Sequence, residues 1–126
     1  MTPLLFVAVA AAGGVGAALR FVVDGVVRSR IRSAYPVGVT VINVTGSFAL
    51  GLVTGLALAH LVDSGWLLVL GTGLLGGYTT FSTASFETVR LLQTGRMPAA
   101  ALNAFGMLVA SVLVAALGLW LGSLSA

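Results

Sequence analysis

Cysteine is absent from the 126 residues and charge is scarce, with six basic residues, three acidic residues and one histidine. The first absence excludes a disulfide framework, a thiolate nucleophile and a cysteine-based metal site. The second excludes an ordinary soluble surface, which carries about 25% charged residues against 7% here. One histidine and no paired carboxylates leave nothing for acid–base or nucleophilic catalysis, so an enzyme is not expected. What fills the chain instead is apolar: 59% of residues are hydrophobic and the mean hydropathy is +1.14, the composition of an all-α integral membrane protein. The net charge of +3 is six arginines against Asp24, Asp63 and Glu87. In a membrane chain that excess speaks to orientation before it speaks to nucleic acid, and no nucleic-acid partner is expected.

Four apolar stretches of about 20 residues or more, each able to cross about 30 Å of hydrocarbon as a helix, fall near residues 3–23, 37–60, 66–92 and 98–121. The first lacks a basic start and outruns the apolar core of a secretory signal, so it reads as a span. Nothing between the spans is long enough to fold separately, which predicts a single four-helix membrane domain over 1–126 in contact with lipid. Arg28, Arg30 and Arg32 fall in the first loop, before Tyr35-Pro36 opens the next helix.

The third span is poor helix material. Its centre, GTGLLGGYTTFSTASFE from Gly71 to Glu87, joins Gly76 and Gly77 to Tyr78, Thr79, Thr80, Ser82 and Thr83. A glycine costs about 1 kcal/mol relative to alanine within a helix, and a glycine pair beside Ser and Thr is a place for a break. Gly76 and Thr79 lie ten and thirteen residues after the interfacial Trp66, which puts the break about 15–20 Å deep, near mid-membrane. Broken backbone at that depth must be packed in protein or line a wet cavity, so the stretch is a candidate ion or substrate site. Gly71 to Gly76 also spell GxGxxG, but no preceding strand and no acidic residue at the dinucleotide-binding spacing accompany it.

Other polar residues inside the spans read in more than one way. Arg20 can snorkel to the interface, pair with Asp24, or lend positive potential to a vestibule. Asn43 is either interhelical glue or a pore-facing donor. Asn43-Val44-Thr45 spells a glycosylation acceptor but lies in mid-span, and His60 reads as a surface residue at the interface. No span carries a carboxylate near its middle, which removes the usual carrier of a proton or cation relay. The spans offer donors instead: Asn43, Asn103, the hydroxyls around residues 79 to 83 including Ser82 and Thr83, and Ser111. Neutral donors can replace the water of an anion without trapping it. The positive edges of Phe81 or Phe86 can face an anion as well, although packing is the commoner role of such a residue.

Three runs, GGVGAALR ending at Arg20, VINVTGSF around Asn43, and GGYTTFST from Gly76, resemble the small fluoride channels called Fluc or CrcB, with all four spans in order. The resemblance implies four transmembrane helices, the third broken mid-membrane, and an antiparallel dimer with two fluoride pores in the plasma membrane of a prokaryote. It implies a structural sodium ion (Na+), not transported, on backbone carbonyls that map onto Gly76 and Thr79. It maps a pore asparagine onto Asn43, a pore phenylalanine onto Phe81, a polar-track serine onto Ser111 and a vestibule arginine onto Arg20. Two positions depart from the family pattern: Ala84 replaces a second pore phenylalanine, and Met107 replaces a polar residue of the last helix.

If the spans alternate, Arg28, Arg30, Arg32, Arg90 and Arg96 share one side, and the termini and the 61–65 turn carry no basic residue. The positive-inside rule then predicts one orientation, with both termini outside. A homodimer inserting both ways needs little bias, so the expected partner is an oppositely oriented paralogous subunit. Two alternatives remain: a small proton-coupled multidrug exporter, which wants a carboxylate in the first span, and an assembly subunit whose own pores are disabled at Ala84 and Met107.

Overall fold

The computed structural model describes residues 1–126 and contains helices but no strand. Helix α1 spans Pro3–Arg30 and opens with proline at its first position behind Thr2, whose hydroxyl accepts the Leu5 N–H at 3.2 Å. It does not stop where the apolar stretch meets charge. Arginine is a good helix former, Asp24 and Arg28 pair at 2.9 Å one turn apart, and Arg28 and Arg30 sit in the last turn, where cations suit a helix end. Two of the three arginines expected in the first loop therefore lie on α1.

Helix α2 spans Val37–Leu58 and begins directly after Pro36. It ends two residues before His60, which takes a left-handed φ of 60° in the turn. Helix α3 covers residues 64–78. Asp63 caps it by accepting the Trp66 N–H at 3.0 Å, and it widens to π geometry over Leu68–Leu75 before a last α-helical turn, Gly76–Tyr78. After an interruption, α4 spans Ser82–Gln93, and a turn through Gly95 at φ 76° leads into α5, Met97–Ser123. Helix α5 carries its own π segment at Leu102–Gly106.

Three helices, α1, α2 and α5, are each long and apolar enough to cross a membrane. They pair through glycines. A Cβ on Gly16 would run into the Leu74 carbonyl and one on Gly77 into that of Gly13, so α1 and α3 touch backbone to backbone. Gly51 against Ala115 and Gly118 against Phe48 join α2 to α5 in the same way. In lipid there is little hydrophobic drive between helices, so this close approach, with its dispersion contacts, is what holds the pairs. The buried apolar interior is correspondingly small: Val39, Ile42, Leu91, Ala100 and Met107. Large apolar residues cover the outside, as they do in a chain that meets lipid or a partner rather than water.

Candidate functional site

The interruption between α3 and α4 lies at Thr79–Phe81, starting two residues past the glycine pair. Gly76 keeps helical angles and Gly77 serves the contact with Gly13, so the glycines permit packing while a different residue breaks the helix. Thr79 turns to extended backbone, with ψ 159°. The next residue, Thr80, is then held by Asn43 of α2. Its Nδ2 donates to the Thr80 carbonyl at 2.8 Å, and its Oδ1 accepts the Thr80 N–H at 2.8 Å. This pairing also decides which end of the carboxamide is oxygen. A continuing helix would send the Thr80 N–H to Gly76 O; Asn43 takes it instead, and no protein donor reaches that oxygen. Asn43 is thus interhelical glue of a particular kind, since it binds backbone that has left the helix.

Thr80 is 7% exposed, and its hydroxyl accepts the Thr83 N–H at 3.1 Å, starting α4. It lines two cavities. One, of about 260 Å³, also holds Arg20, Asp24 and Thr83. The other is a groove of about 590 Å³ between α2, α4 and α5, with Asn43, Phe81, Asn103, Met107 and Ser111 among its walls and no charged residue. Arg20 is half-buried and its guanidinium donates to the Thr79 carbonyl at 3.4 Å. Asp24 pairs with Arg28 and not with Arg20. Of the three readings open for Arg20, the geometry gives a guanidinium turned toward the break.

Of the remaining sequence-derived residues, Ser111 lines the groove with a buried hydroxyl that has no partner. Thr83 is half-buried on the Arg20 side, Ser82 is exposed, and Phe81, 88% exposed, projects from the subunit. Sequence reasoning passed over Thr80 as a hub, although it named the hydroxyl. It also passed over Glu87, which is 6% exposed and lies 3.6 Å from Arg28 and 3.7 Å from Arg90. Its i, i+3 spacing to Arg90 was readable; the pairing with Arg28 needs α1 and α4 side by side. Asn103, 1% exposed, donates to the Ala84 carbonyl at 3.2 Å and to the Thr88 hydroxyl at 2.8 Å, which ties α5 to α4.

The break offers oxygens suited to a hard cation. Gly76 O is free of the helix, and Thr79 O carries only the long contact from Arg20, which leaves a lone pair. These donors fit a sodium ion without burying a carboxylate.

A family profile described as "CrcB-like protein, Camphor Resistance (CrcB)" matches residues 7–119. Among curated proteins, the chain is 58% identical over 125 residues to "Fluoride-specific ion channel FluC 1" of Leifsonia xyli subsp. xyli, covering 99% of this chain and 91% of that protein. It is 51% identical over 113 residues to "Fluoride-specific ion channel FluC 2" of Cutibacterium acnes, covering 89% and 92%. Against "Fluoride-specific ion channel FluC 1" of Streptomyces avermitilis it is 46% identical over 106 residues, covering 84% and 86%.

Proposed function

The chain belongs to the CrcB family, and from that premise we propose that it is a subunit of a passive fluoride channel that lets cytoplasmic fluoride leave down its electrochemical gradient. It is a multi-pass membrane protein. The observation that carries the reading is the groove beside the interrupted helix, a largely apolar wall in which the amides of Asn43 and Asn103 and several hydroxyls are set, with no charged residue. Fluoride is a small, strongly hydrated anion, and to enter it must exchange water for donors that do not hold it fast. Arg20 draws the anion toward the break, Thr80 and Thr83 offer hydroxyls beyond it, and Ser111 offers one further along α5. Phe81 presents its ring at the subunit surface, where a partner would enclose it and its positive edge would face the path.

In this reading α3 and α4 together make the fourth crossing, broken near mid-membrane, and two subunits pair antiparallel in the plasma membrane of a prokaryote. The carbonyls of Gly76 and Thr79 hold a structural sodium ion, whose charge supports the backbone where the helix is open. The arginine bias favours an oppositely oriented paralogue as partner. One observation also favours a pore-deficient assembly subunit: Met107 stands in the groove against Asn43 at 3.1 Å.

Fluoride efflux from proteoliposomes, followed with a fluoride electrode and compared with chloride, tests the proposal. Fluoride-selective release is expected from the chain co-reconstituted with its paralogue. Release of neither ion, with antiparallel assembly demonstrated, overturns it.

A further inference from the structure

Resting on the channel reading, we infer that Met107 is the residue that closes the α5 face of this subunit to anions, by covering with an apolar side chain the one Asn43 N–H that faces the groove. The Asn43 amide has two N–H bonds. One is committed to the Thr80 carbonyl at 2.8 Å; the other meets Met107 Sδ at 3.1 Å. Thioether sulfur is a weak acceptor, so this second N–H is the one an anion competes for. Nothing else in the carboxamide is available, because Oδ1 takes the Thr80 N–H.

Position matters as much as chemistry. Asn103, Met107 and Ser111 recur every four residues on α5, so the thioether stands between two polar groups of one helix face. Both neighbours hold a buried oxygen without a partner, Asn103 Oδ1 and Ser111 Oγ. Buried orphans of this kind are uncommon and each calls for a reason. The side chain between them, 6% exposed, is apolar along its stem and offers no donor to Asn103 Oδ1. An anion moving between Ser111 and Asn43 would trade water for a thioether, which repels it. A serine or threonine at this position would supply a hydroxyl, release the Asn43 N–H and join the donors into one row.

The experiment is fluoride efflux from proteoliposomes at matched protein content, for wild type, Met107→Ser, Met107→Thr and Met107→Leu. Met107→Ser and Met107→Thr are expected to exceed wild type by roughly tenfold, about the worth of one hydrogen bond at the barrier. Met107→Leu keeps the bulk and should stay at the wild-type rate. Serine and threonine variants no faster than wild type overturn the inference, whether wild type is fast or inert. The channel reading is judged separately, by wild type together with its paralogue, so the two failures are distinguishable. Should a polar variant assemble poorly, the side-chain amide resonance of labelled Asn43 in wild type and Met107→Leu decides: fluoride should leave it unmoved in both, and a fluoride-dependent shift in either overturns the inference.

Discussion

Asn43 and Thr80, 37 residues apart, bind each other twice at 2.8 Å, the side-chain amide of one to the backbone N–H and C=O of the other. The pairing replaces the hydrogen bond that a continuous helix would give Gly76, so one carboxamide both holds the break open and frees the oxygen proposed for sodium. Asn43→Asp and Asn43→Leu should therefore differ. Aspartate still accepts the Thr80 N–H but cannot donate to its carbonyl. It should abolish fluoride efflux, destabilise the chain by about 1–3 kcal/mol, and retain any sodium dependence of assembly. Leucine lets the Thr80 N–H return to Gly76 O, so sodium dependence should fall with it. Thermal unfolding in detergent with sodium or potassium, beside the efflux assay, reads both.

The glycine contacts make a sharper contrast than their number suggests. Gly51→Ala pushes a methyl into the Ala115 carbonyl and should cost about 1–3 kcal/mol through forced separation of α2 and α5. Gly14→Ala meets open space and should be neutral or slightly stabilising in the helix. Unfolding midpoints of the two variants check this.

At the arginine-rich end, Arg28 and Glu87 approach at 3.6 Å, with Arg28 more than half exposed and Glu87 nearly covered. Solvent on the arginine side limits the pair, so a double-mutant cycle of Arg28→Gln and Glu87→Gln should give a coupling below about 1 kcal/mol. A larger coupling would mean that this end is sealed from water in the assembled protein.

Orientation follows from charge. Reporter fusions at either terminus should show one dominant topology, with both termini outside, and Asp63→Arg together with Arg30→Gln and Arg32→Gln should scramble it. Equal populations in the wild-type chain would remove the reason for invoking a paralogous partner.

Helices α1, α2 and α5 are legible in the sequence because long apolar runs bounded by Pro36, Pro98 and charge leave no other solution in lipid. Their ends are less so, since α1 runs on to Arg30 on the strength of a local pair that hydropathy does not register. The region of the break is legible from glycine and hydroxyl content, but not its cause. A glycine pair looks like weakness in one dimension; only the contact with Gly13 shows it as an interface, and only Asn43 shows where the chain departs. The π geometry over Leu68–Leu75 further shifts the helical phase, so no reckoning by 3.6 residues could say which hydroxyls share a face.

The interruption at Thr79–Phe81 sets the carbonyl end of α3 beside the amide end of α4. Each end carries about half an elementary charge, negative on α3 and positive on α4. One gap in one chain thus creates two poles a few residues apart, the first hospitable to a cation and met by the Arg20 guanidinium at 3.4 Å, the second hospitable to an anion, with no carboxylate at either. A membrane protein with so few charged residues gains opposite local fields simply by ending one helix and starting another.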